Sequence, residues 1–154
     1  MRSMRRILVL VSLAGLAGLA TNAAANQTFH TLTAPLSSVN GSPLQQGWVH
    51  DIHMNGNNKG AQEVYHLAGG IPSTTLQVVI VFFTNDTTCS TTPSFFPTAT
   101  LTTNGAGNAD ATFAFPASPP SPPQFDSAMW QLVDSSGTVD YTTGCNLVII
   151  GGAK

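Results

Sequence analysis

The sequence predicts an all-β protein, an antiparallel β-sandwich of about eight strands held by one disulfide. Short runs rich in Val, Ile, Thr and Phe recur along the chain, separated by Gly, Asn, Pro and Ser, at the spacing of sandwich and barrel strands. Beyond residue 25 no apolar stripe of helical period and useful length occurs. The two cysteines, Cys89 and Cys145, make the even count expected of a disulfide in an oxidising compartment.

Residues 1–25 stand apart from that pattern. A basic start, Met1 to Arg6, leads into an apolar run from Ile7 to Ala20, and alanines follow at Ala23 to Ala25. This is the plan of a secretory signal peptide with cleavage expected after Ala25. The run is shorter than the roughly 20 residues a membrane span takes. Residues 26–154 then form a single domain, secreted and extracellular, of a size that supports one core. They keep two lysines, Lys59 and Lys154, against seven acids, a net charge of −5 with neutral histidines. So few cations cannot neutralise many phosphates, which excludes nucleic acid as a partner and disfavours anionic membranes.

Along the domain, residues 28–33 alternate weakly as an edge strand, and the stretch from Pro35 to Pro43 is a turn-rich connection. Trp48 to Met54 and Glu63 to Leu67 are strands flanking an Asn/Gly turn. Leu76 to Phe83, LQVVIVFF, is β-branched or aromatic at most positions, as in a central strand buried on both faces. Thr98 to Pro116 has two Thr/Ala/Phe-rich arms around Asn104 to Asn108. It predicts a hairpin with Ala109, Ala111, Phe113 and Phe115 on its buried face. PASPPSPP, residues 116–123, is a surface loop that offers few backbone donors. Met129 to Val133, a turn at Asp134 to Gly137, Thr138 to Tyr141 and Cys145 to Ile150 complete the domain.

The segment YHLAGGIPSTTLQVVIVF, Tyr65 to Phe82, resembles the part of immunoglobulin-like and fibronectin type III-like domains where a turn leads into a long strand. Leu76 stands at the aromatic position, so the family's tyrosine-corner bond is not expected there. With TLTTNGAGNADATF and YTTGC the chain is also similar to small secreted bacterial β-sandwich proteins of unassigned function. The resemblance implies architecture and carries over no functional residue.

Chemistry is sparse. In GWVHDIHMNG, Gly47 to Gly56, a strand sets Trp48, His50 and Ile52 on one face and Val49, Asp51 and His53 on the other. A metal site built on His50, His53 and His66, with a nearby carboxylate, therefore needs a neighbouring strand to bring its ligands together. Trp48 and Trp130, with Tyr65 and Tyr141, are candidates for a stacking platform. No hydrolase elbow, zinc-protease motif or phosphate loop occurs. Asp86, Asp126 and Asp134 fall at turns, where carboxylates cap their own backbone. The sequence thus predicts a non-enzymatic binding or cell-surface module without a cofactor, its ligand a protein or carbohydrate. A small exported metal-binding protein or metalloenzyme using the histidines is the alternative.

Overall fold

The computed structural model describes residues 29–54, 60–116 and 125–150. The segment expected to be a signal peptide, residues 55–59 and most of the proline-rich stretch lie outside the described residues. Among those residues there are nine strands and no helix: β1 (Phe29–Ser38), β2 (Gln46–Met54), β3 (Ala61–Ala68), β4 (Thr75–Phe83), β5 (Ser94–Thr102), β6 (Ala109–Phe115), β7 (Phe125–Val133), β8 (Val139–Thr143) and β9 (Asn146–Ile150). All pairings are antiparallel. The strands follow one path, β5-β4-β7-β8-β1-β2-β3-β6, with β9 added beside β7.

The path folds over so that inward side chains of its two halves meet in one core. Ala34, Val49, Tyr65 and Leu67 come from the β1–β2–β3 side, and Leu76, Ile80, Leu101, Trp130, Leu132 and Tyr141 from the other. Alternation along β3 and β6 buries one face of each strand, and Ala109, Ala111, Phe113 and Phe115 do share the inner side. β4 is central, paired with β5 on one edge and β7 on the other, and its second half is buried at every position.

Two local expectations are corrected. The stretch from Pro35 is not a plain connection: β1 pairs with β2 on one side from Phe29 to Pro35, as an edge strand does, and then continues as a strand paired with β8 from Leu36 to Ser38. Pro35 sits where β1 changes partner, a place that tolerates a residue without an N–H. Thr98 to Pro116 is not a hairpin. The turn closes through Asn104 N to Asn108 O at 3.0 Å and Gly107 N to Asn104 O at 2.9 Å. Its arms then part, β5 joining β4 and β6 joining β3, because each finds its apolar partner on a different half of the sheet.

The disulfide is present. Cys89, in the β4–β5 loop, bonds Cys145, at the break between β8 and β9, with Cα atoms 5.7 Å apart. Asp86 organises the same loop, accepting the N–H groups of Thr88, Ser90 and Thr91 at 2.6–2.7 Å. These bonds hold its carboxyl well below the usual carboxylate range. Asp134 accepts from Ser136 and Thr138 in the β7–β8 turn, and its carboxyl is held low for the same reason. A tyrosine tether also exists, supplied from β8. The Tyr141 hydroxyl accepts from Ile71 N at 2.8 Å and donates to Pro43 O at 2.9 Å.

Candidate functional site

The unusual chemistry lies inside the fold. Asp51 on β2 and Glu63 on β3 are direct cross-strand partners, and both point inward. They are 5% and 2% exposed, rare values for carboxylates. Glu63 reaches across the core, and its Oε1 accepts from Trp130 Nε1 on β7 at 2.9 Å. Its Oε2 accepts from the Tyr65 hydroxyl, two residues along β3 on the same face. The Tyr65 hydroxyl also bonds Thr98 Oγ1 on β5 at 2.7 Å. One carboxyl thus joins three strands drawn from both halves of the sheet.

A bulge places Thr98. Between the pairs Gln77↔Thr100 and Val79↔Pro97, β5 holds one residue more than β4. The extra residue shifts the alternation, so that Ala99 is buried and Thr98 also reaches the interior. The Ala99 carbonyl released from the ladder accepts from Gln77 Nε2 at 2.8 Å. Without the bulge Thr98 would face away from Tyr65.

Burial dominates the electrostatics. It raises the Glu63 carboxyl to about 7, against the opposing pull of the Tyr65 and Trp130 hydrogen bonds, and the nearby charge of Asp51 pushes the same way. Tyr65 is pushed upward by burial and by Glu63, so its hydroxyl keeps its proton. The cluster can therefore hold one exchangeable proton near neutral pH.

Comparison of the chain with protein-family models, with curated proteins and with solved structures gave no match. The functional reading rests on the residues themselves.

The residues singled out in the sequence are divided between the two faces of β2 and β3. Trp48 and His50 share one face, as the alternation predicts, and it is the outer one, with Val49 and Asp51 inward. The antiparallel pairing sets Trp48 opposite His66, their rings stacked with centroids 5.2 Å apart, and Asp110 on β6 accepts from or pairs with His66 Nδ1 at 2.7 Å. His50 lies on the same face, its ring edge toward Trp48 and its Nδ1 bonded to Thr33 Oγ1 at 2.7 Å. His53 pairs in register with His30 and Ala61, and its side chain lies outside the described residues. Among the described residues no three His, Cys, Asp or Glu side chains gather as metal ligands. The two tryptophans do not share a surface, because Trp130 is 1% exposed and belongs to the core with Tyr65 and Tyr141.

An exposed aromatic group completes the picture. Phe95 and Phe96 on β5 are 65% and 43% exposed. Phe96 stacks on Phe115 at 5.9 Å and meets Phe113 edge-on at 6.3 Å. These rings draw together the two terminal strands of the path, β5 and β6. The sequence reading put Phe113 and Phe115 on the inner face, but it did not foresee the Phe96 contact or the Glu63 cluster. The one available signal for the latter was Glu63 and Tyr65 at spacing two in a strand, inward beside an inward Asp51.

Proposed function

We propose that the protein is a secreted, non-enzymatic interaction module built on an immunoglobulin-like β-sandwich, and that its ligand is a protein surface. The observation that carries this reading is the ring contact of Phe96, Phe113 and Phe115 at the meeting of the two terminal strands, with Phe95 exposed next to Phe96 on β5. Exposed apolar groups of this kind mark interaction surfaces more often than chance exposure. Phe rings without hydroxyl or amide neighbours offer a sugar few hydrogen bonds, which favours protein over carbohydrate. The disulfide supports an oxidising, extracytoplasmic location. The scarcity of charge outside the interior cluster supports a binding rather than a catalytic role.

Saturable binding of fluorescently labelled protein to the surface of its host cells is the test. The double variant F95S/F96S is expected to lose at least ten-fold in affinity while remaining folded. Absence of saturable binding by the parent protein, or unchanged binding by the variant, overturns the proposal.

A further inference from the structure

We propose that Glu63 is a proton-operated latch: a proton held on its carboxyl tightens the join between the two halves of the sheet, and its loss loosens that join. The geometry carries the inference. Glu63 extends from β3, bonds Trp130 on β7 directly and reaches Thr98 on β5 through Tyr65. From β2 it is faced by Asp51, and on β6 its register partner is Phe113. The hydrogen-bond partners that Glu63 holds among the described residues, Tyr65 and Trp130, are neutral donors, and a second carboxyl, that of Asp51, lies beside it.

The hydrogen-bond chain accommodates both states. When Glu63 is ionised, Trp130 and Tyr65 both donate to it and Thr98 donates to Tyr65. When it is protonated, its O–H donates to the Tyr65 oxygen, and the Tyr65 hydroxyl turns to donate to Thr98. Trp130 donates to Glu63 in either case. The difference between the states is the cost of keeping a negative charge in the core.

The sign follows from the direction of the shift. The carboxyl titrates at about 7 in the fold, against 4.5 ordinarily, so the folded protein binds the proton more tightly than the unfolded chain. The contribution is complete below about 4.5 and is lost as pH rises through 7. Between those limits the unfolding equilibrium constant rises roughly 300-fold, equivalent to about 3 kcal/mol.

The experiment measures urea unfolding of the full chain, disulfide intact, between pH 5 and pH 8, for the parent and for Glu63→Gln. The parent is expected to lose stability as pH rises, and the variant to show a much flatter profile. The difference between the two profiles isolates the contribution of the Glu63 carboxyl. Parallel profiles overturn the proposal. Should Glu63→Gln fail to fold, carbon-13 titration of the Glu63 carboxyl in the parent decides: a midpoint near 7 supports the latch, and one below 5 sinks it. Tyr65→Phe removes a donor to the ionised form and should move that midpoint upward. A midpoint that stays in place or falls contradicts the wiring.

Discussion

Gly105 and Gly107 occupy the same five-residue turn and should respond oppositely to an added methyl group. Gly107 has φ +77°, and a Cβ built there would lie 2.1 Å from Gly70 O and 2.7 Å from Gly70 N. Both obstacles are backbone, so neither can turn aside. The two glycines are also joined by a bond from Gly70 N to Gly107 O at 2.9 Å, which ties the β3–β4 loop to the β5–β6 turn. Placing alanine in the left-handed region costs roughly 1–2 kcal/mol. Parting the loops loses a hydrogen bond of about 1 kcal/mol. The neighbouring bonds from Gly69 N to Asn108 Oδ1 and from Ser73 N to Asn104 O are strained with it. Gly107→Ala should therefore cost about 3 kcal/mol in total. At Gly105 a Cβ meets nothing within 4 Å, and φ is not in the left-handed region. Gly105→Ala should stay within about 0.5 kcal/mol of the parent. Urea unfolding followed by the fluorescence of buried Trp130 measures both. Equal midpoints for the two variants would refute the claim that backbone contact with Gly70, rather than general turn flexibility, governs this loop.

Replacing both cysteines, Cys89→Ala with Cys145→Ala, should destabilise by about 4 kcal/mol on chain-entropy grounds, since the bridge spans a sequence separation of 56. The urea midpoint should fall by a corresponding amount, and a shift under 1 kcal/mol would contradict that estimate. Asp86 is held ionised by three backbone donors, so its contribution is present above pH 4 and fades as pH falls further. Asp86→Asn should accordingly flatten the acid limb of a thermal-melting profile between pH 5 and pH 2, and an unchanged limb would argue against it. Tyr141→Phe leaves Ile71 N–H and Pro43 C=O without their shared partner and should cost about 2 kcal/mol by calorimetry. A loss below 0.5 kcal/mol would show that water replaces the hydroxyl.

Strand identity was readable wherever side-chain pattern alone decides it. The continuous apolar run of β4 marked a central strand, and alternation set Trp48 and His50 on the face opposite Val49 and Asp51. What could not be read depends on pairing between distant segments. The glycine-rich turn after β5 has the same local chemistry whether its arms pair with each other or diverge, and only the competition from β3 and β4 separates these outcomes. Pro35 suggested a break, yet a proline is accommodated where one strand passes between partners. Glu63 illustrates the same limit at the level of the site. Period two puts it on the same face as Tyr65, but its partner Trp130 lies 67 residues away, and Thr98 turns toward the cluster through a bulge that no local residue pattern announces. The aromatic contact across β5 and β6 depends on the same bulge.

The strand that passes between partners at Pro35 also sets the order in which the molecule can be completed. β1 can pair with β2 almost at once, since the two are neighbours in sequence, but its last three residues wait for β8, more than a hundred residues later. Until those residues arrive, the β1–β2–β3 portion presents an inner face containing Asp51 and Glu63 to water, where carboxylates are content to remain. Assembly is thus a late, non-local event of the kind that slows folding to milliseconds or longer. Glu63 is buried only once β7, which carries Trp130, closes over it, so under the proposed latch the closing step is also the one at which the carboxyl gains its affinity for a proton.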